Sequence, residues 1–358
     1  MAILGSRDQP TDAIEEYCRY LADGLAKHDI ELQLIRVPWA EVGWTSALRQ
    51  LEEKIRASQP KWALLQYTAL GWSRRGFPWR VLKVLGTLKK SGPRCAAVFH
   101  DPAPYPGERV ADRVRRAIQT QVMRRIVGVT DWNVLTIPLE AVAWLPRDQR
   151  RLRFIPVGAN LPNPEAVWDW NDGKPDIPTI SVFTVTGGPA GDIEVARIVE
   201  ALRVVTRELG RVRLSVLGRN SEDGGNELKK RLQGTEVEVV VHGLLEPEQV
   251  VKTLGSSEVM LFVRGPISTR RTSALSGIAC GLPIIACEGW ETAGPIKEAG
   301  LVLLPENSGK EYGQALLRVL KDRSYRQGLR EQSRQAHRKF FSWEAISAEY
   351  VDLLRRPG

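Results

Sequence analysis

The chain is poor in cysteine and methionine and has no long apolar run, and these shortages exclude whole classes of protein. Its four cysteines, Cys18, Cys95, Cys280 and Cys287, form no C-x-x-C pair and lie inside apolar stretches. That pattern argues against a zinc site or a disulfide framework and predicts buried free thiols in a reducing compartment. No apolar run approaches the ~20 residues that span a bilayer. The opening residues Met1-Ala-Ile-Leu4 read as a strand, not as a basic region followed by an apolar core. No short-period repeat is visible, and no nucleic-acid recognition motif accompanies the charge.

What is present fits a two-domain cytoplasmic protein. The 358 residues suggest about two domains of ~150 each. With 43% hydrophobic and 26% charged residues, the chain can form packed cores, which argues against wholesale disorder. The net charge of +9 is mostly spread over helix faces. One run is concentrated: Arg109, Arg113, Arg115, Arg116, Arg124 and Arg125 fall on a helix predicted from Glu108 to Ile126, with Val110, Val114, Ile118 and Val122 as its apolar stripe. A basic amphipathic helix suits peripheral contact with an anionic membrane; the alternative is a solvated face on a core helix. Nucleic acid is not expected as a partner.

Strand-like and helix-like segments alternate twice. The first series has strands at Ala2–Leu4, Glu31–Val37, Trp62–Gln66, Cys95–Phe99, Trp132–Thr136 and Leu152–Val157, with a helix from Asp12 to about Lys27 that Asp12 and Glu15 open as a capping box. The stretch from Leu161 to Pro178, rich in Pro, Trp, Asp and Gly, reads as a linker. The second series has strands at Thr179–Thr184, Arg213–Leu217, Glu238–His242, Val259–Val263, Pro283–Ala286 and Leu301–Leu304. Two βαβ series predict an α/β protein of two doubly wound parallel sheets, with domains at 1–165 and 166–342.

The segment from Arg264 to Cys287 is the most informative. A buried strand leads into a basic loop, a helix of small residues, a stop at Gly281 and a second buried strand. A helix opening on Arg270, Arg271, Thr272 and Ser273 presents unpaired amides, two hydroxyls and two guanidiniums together, which suits a dianion such as a diphosphate. Ligands of doubly wound sheets sit beyond the carboxyl ends of the strands. That rule selects Gly187 and Gly188 in the Thr186–Gly191 loop, Arg219, Gly243 and Leu244, the Arg264 loop, and Glu288-Gly-Trp-Glu291. In the first half it selects Asp12 after Gly5, Gln66 and Tyr67, then Trp72 in the loop beyond, and His100-Asp101.

Ala279-Cys-Gly-Leu-Pro-Ile-Ile-Ala, Glu288-Gly-Trp-Glu, Glu298-Ala-Gly-Leu-Val-Leu-Leu-Pro305 and Phe341-Ser-Trp343 resemble the carboxyl half of glycosyltransferase family 4. The amino half is similar more loosely, through Gly5, Asp12, Tyr17 and His100. The resemblance implies a GT-B enzyme, its two Rossmann-like domains facing across a cleft, that moves a sugar from a UDP- or GDP-type donor to a glycan, lipid-linked or small-molecule acceptor. It also implies that a last helix, 343–358, packs back on the first domain. The family usually places one glutamate in the donor loop and a second eight residues on, the latter holding the ribose; those positions are Ser268 and Ser276 here.

Two mechanisms fit these residues. A retaining transfer needs the leaving diphosphate stabilised, by Arg264, Arg270, Arg271, Thr272 and Ser273, with Arg271 closest to a catalytic role. An inverting transfer needs a base, for which His100, Asp101 or Asp12 are candidates. No D-x-D pair stands where a cation would bridge the phosphates, so neither a metal nor a further cofactor is expected. Loss of both glutamates also fits a non-catalytic GT-B scaffold subunit.

Overall fold

The computed structural model describes residues 1–8, 11–107, 109–170, 177–219 and 221–356. Two compact units emerge: Met1–Val157 with Trp343–Gly358, and Gly158–Ser342.

The first unit is a six-stranded sheet of β1 (Ala2–Leu4), β2 (Leu34–Arg36), β3 (Trp62–Tyr67), β4 (Arg94–Phe99), β5 (Trp132–Leu135) and β6 (Leu152–Phe154). The strand order is β2-β1-β3-β4-β5-β6, with every pairing parallel. In the central strands β3 and β4, Ala63–Tyr67 and Cys95–Phe99 are buried without a break, the pattern of strands covered by helices on both faces. The covering helices are α1 (Ala13–Ala26), α2 (Trp39–Ser58), α3 (Val81–Lys90) and α4 (Val110–Val129).

The second unit repeats the scheme with β7 (Thr179–Phe183), β8 (Val212–Leu217), β9 (Val237–Gly243), β10 (Val259–Pro266), β11 (Ile284–Cys287) and β12 (Leu301–Leu304), in the order β12-β11-β10-β7-β8-β9. Its helices are α5 (Pro189–Leu209), α6 (Ser221–Arg231), α7 (Pro247–Gly255), α8 (Thr272–Ala279), α9 (Gly309–Lys321) and α10 (Arg323–Ala336). Small residues let α8 lie close on the sheet: a Cβ at Gly277 would stand 2.6 Å from the Met260 sulfur. Gly281 ends the α8 turn with φ +71°, a conformation glycine adopts without strain. The chain then returns to the first unit as α11 (Trp343–Arg355), where the Tyr350 and Tyr17 hydroxyls meet at 2.8 Å inside the α1–α11 contact.

The alternation read from the sequence places helices near 191–209, 224–233, 246–255, 271–280 and 308–321 in the second unit, where α5 to α9 lie, but gives no counterpart to α2, α3 or α10. Helix α10 hid because it buries only Leu329, Arg330, Ser333 and Ala336 between strongly polar neighbours. The stretch read as a linker is a correction. Although 171–176 lie outside the described residues, Val167 and Trp168 are buried in the second unit. The Trp168 indole donates to the Ala279 carbonyl at 2.8 Å and carries Arg338 over its ring at 4.5 Å. The division between units therefore falls at 157/158, ahead of the 165/166 read from the sequence.

The sequence also expected buried thiols, and all four cysteines are free and buried. No described helix is long and apolar enough to cross a membrane.

Candidate active site

In the second sheet the crossover direction reverses between β7 and β10, which splits the carboxyl edge at that point, the place where doubly wound sheets take ligands. The Thr186 loop follows β7 and the Arg264 loop follows β10. They are joined across the switch, Arg264 Nε donating to Thr186 Oγ1 at 3.3 Å. Thr186 is fixed in turn by Glu194 on α5, whose carboxylate accepts from the Thr186 amide at 2.7 Å and the hydroxyl at 2.6 Å. Gly187 and Gly188 form the exposed end of this loop, and Gly188, with φ +69°, leads into α5 without a capping side chain. Arg219, Gly243 and Leu244 stand further along the same edge, after β8 and β9. Gly243 has φ +71° and accepts from the Gly218 amide at 2.8 Å, and Leu244 is exposed. The next residue after Arg219, Asn220, lies outside the described residues.

Helix α8 begins without a capping side chain at Arg271, and Thr272 and Ser273 are half-buried in its first turn. The first-turn amides of such a helix have no partner within it, and the helix dipole adds partial positive charge. Ser276 does not offer its hydroxyl outward in place of the missing glutamate. It is buried and donates back to the Thr272 carbonyl at 2.9 Å.

Arg270 corrects the sequence reading. The sequence offers it as a diphosphate ligand, but its guanidinium is held in a two-point ion pair, Nε to Glu291 Oε2 at 2.9 Å and Nη2 to Oε1 at 2.7 Å. Glu291 is only 4% exposed. Burial alone would raise its carboxyl pKa, but the paired Arg270 guanidinium, with the charge of Arg271, outweighs that and lowers it, so the group is ionised. Glu194 is a site residue that sequence reading did not select, and Glu291 was selected only as part of its loop, without a partner. The visible signals were an acidic residue early in α5 and the Glu288-Gly-Trp-Glu291 loop after β11.

In the first unit the switch point lies beside β1, and the chain approaches itself closely there. The Ser6 amide donates to the Gly71 carbonyl at 2.8 Å, and a Cβ on Gly5 would fall 2.2 Å from that oxygen. At the ends of β3 and β4 the structure joins two selected residues, Gln66 Oε1 and His100 Nε2 lying 2.8 Å apart. With the amide oxygen facing the ring, Nε2 carries the proton and Nδ1 is left as an acceptor. The Tyr17 ring packs edge-on against His100 at 4.9 Å. Burial lowers the His100 pKa to about 3, so the ring is neutral at physiological pH.

Tyr67 is buried against Phe99, and its hydroxyl pKa is raised, first by burial and then by the charge of Asp101, which is itself exposed. Two further selections are corrected. Trp72 is 1% exposed and donates its indole N–H to the Gln66 carbonyl at 2.9 Å, so its ring is core and offers no face for a sugar. Asp12 is the N-cap of α1, accepting from the Ile14 and Glu15 amides at 3.1 Å, and it pairs with Arg36 at 2.9 Å. Both carboxylate oxygens are thereby engaged, and the reciprocal half of the expected capping box is replaced by Glu15 pairing with Arg19 and Arg36.

The family model for Glycosyl transferases group 1 matches residues 186–322, a span that opens on Thr186 and contains the whole β10–α8–β11 segment. The chain carries a group 1 glycosyltransferase domain. Solved structures extend the likeness to both units and establish the GT-B fold. A glycosyltransferase from Rickettsia africae superposes with a TM-score of 0.65 at 14% identity, over 99% of this chain and 97% of that one. Anabaena HepE in complex with UDP and glucose gives 0.66 at 11% identity, over 99% of each chain. WaaG, a glycosyltransferase involved in lipopolysaccharide biosynthesis, gives 0.64 at 13% identity, over 99% and 100%. No curated protein matches the chain in sequence. The matched span puts the loops after β7 and β10 inside the family region, whereas Gln66 and His100 lie in the unit that only the fold comparison reaches.

Proposed function

We propose that this glycosyltransferase moves a hexosyl group from a UDP- or GDP-linked sugar to a hydroxyl of a glycan, lipid-linked or small-molecule acceptor, without a metal and with retention. The uncapped start of α8, bearing Arg271, Thr272 and Ser273 and following Arg264 on β10, carries this reading. In the transfer the bond between the anomeric carbon and the diphosphate oxygen breaks, and its electron pair stays on that oxygen. Amides, hydroxyls and guanidiniums set in place before reaction stabilise the developing charge. The acceptor oxygen forms the new bond, and its proton passes to the departing phosphate.

His100 favours this route over inversion. A histidine with a pKa of about 3 is a weak base at neutral pH, whereas a neutral ring with a fixed proton is well suited to hydrogen-bonding a sugar hydroxyl. The UDP-bound state of HepE supports the choice of donor class. A thermal-shift panel tests it: UDP or GDP at about 100 times Kd raises stability by ~2.7 kcal/mol, and the parent nucleosides have far less effect. Equal shifts for nucleoside and diphosphate would remove the phosphate from the account.

We also propose that the first half of α4 rests on an anionic membrane. Val122, Met123 and Ile126 are buried in the core, but Val110 is 77% exposed and Val114 50%, flanked by exposed Arg109 and Arg113. Apolar side chains facing outward among arginines suit the headgroup region. The protein is expected to sediment with vesicles containing phosphatidylserine and not with neutral ones, and V110E/V114E is expected to abolish this. Equal sedimentation of wild type and variant would remove α4 from the contact.

A further inference from the structure

The donor loop contains three arginines, Arg264, Arg270 and Arg271, but its geometry does not treat them alike. Arg270 is tied at two points to Glu291, a nearly fully buried carboxylate from the loop after β11. The same two loops are fastened at other points. Thr292 Oγ1 donates to the Ile267 carbonyl at 2.6 Å, and the Ile267 amide donates to the Cys287 carbonyl at 3.1 Å. Gly289 lies against Pro266 so closely that a Cβ there would stand 2.4 Å from its ring. With Glu291 counted, the four charged groups sum to +2, the charge that balances a bound dianion.

We infer that Glu291 is a positioning residue of the donor site, which withdraws Arg270 from the nucleoside diphosphate, makes it the latch of the loop and leaves Arg264 and Arg271 to meet the phosphates. The inference rests on the donor reading proposed above and adds to it a division of labour among the arginines. A buried, two-point guanidinium–carboxylate pair fixes direction as well as distance, so the start of α8 is held at a set position before the donor arrives. The pair also sets the charge of the site, since removing its acid leaves a third guanidinium beside the phosphates.

The test is titration of UDP and GDP, by calorimetry at several salt concentrations, into wild type, Arg270→Gln, Glu291→Gln and the double variant, each first checked for a cooperative melt. Arg270→Gln is expected to weaken binding less than about threefold, since a latch is lost and not a phosphate ligand. Glu291→Gln is expected to tighten binding by about three- to tenfold with a steeper salt dependence, because an uncompensated arginine now faces the phosphates, and to lower kcat. The double variant, with the same net charge as wild type, is expected to return both affinity and salt dependence to the wild-type values. A tenfold or greater loss of affinity in Arg270→Gln would make Arg270 a phosphate ligand and overturn the inference. So would a Glu291→Gln variant unchanged in affinity and salt dependence, or a double variant that keeps the Glu291→Gln affinity. Absence of diphosphate binding by wild type would instead refute the donor reading itself.

Discussion

Replacing Arg264 or Arg271 by alanine is expected to weaken UDP or GDP binding by about tenfold or more in each case, because a charge-assisted hydrogen bond contributes roughly 1.5–3 kcal/mol. The two residues stand at the two ends of the loop between β10 and α8, one on β10 and one at the uncapped start of α8. Binding of the parent nucleosides is expected to change far less, since the lost interaction is with phosphate. Arg271→Lys is expected to remain impaired, because an ammonium cannot reproduce a planar two-donor fork. Calorimetric titration of each variant checks this. Unchanged diphosphate affinity in both alanine variants would reduce the basic loop to a solvated surface.

The second large effect concerns His100. His100→Ala is expected to reduce kcat by more than tenfold, a rise of above ~1.4 kcal/mol in the barrier, while diphosphate affinity stays near wild type. Its ring is neutral and oriented by Gln66, so the variant removes a hydrogen-bonding partner and not a charge. Because burial lowers the pKa to about 3, protonation of His100 sets in only as pH falls toward that value. Between pH 5 and 8 the kcat profile should therefore contain no limb that disappears in His100→Gln. Full activity in His100→Ala would assign the residue to packing beneath Tyr17, and a limb near pH 6.5 lost in His100→Gln would show a titrating base.

Much of the fold was legible because its central strands are uninterrupted apolar runs. Val259–Val263 and Cys95–Phe99 leave few alternatives to buried parallel strands, and Gly281 marks where α8 must stop. Helix α10 was not legible, since its buried face has only Leu329 and Ala336 as apolar residues, among arginines and serines. The site was legible as a set of loops but not as a set of partners. Arg270 and Glu291 are separated by 21 positions, and nothing in residue type announces that they pair. Trp72 was misread because an indole suits both a sugar platform and a core, and only the position of its N–H, on the Gln66 carbonyl, decides between them. Asp12 supports two readings in the sequence, cap and ligand, and only tracing its two oxygens, on the helix amides and on Arg36, selects the cap.

The central claim is that the switch-point loops hold a nucleotide sugar whose diphosphate leaves during transfer. The most direct measurement incubates the purified chain with radiolabelled UDP- and GDP-hexoses, in chelator and without added metal, and follows release of the nucleoside diphosphate together with the anomeric configuration of the sugar product. The account predicts release from at least one donor, insensitive to the chelator, with the donor configuration retained and the rate reduced in Arg271→Ala. Diphosphate binding without turnover of any donor would contradict it and leave the chain a GT-B scaffold.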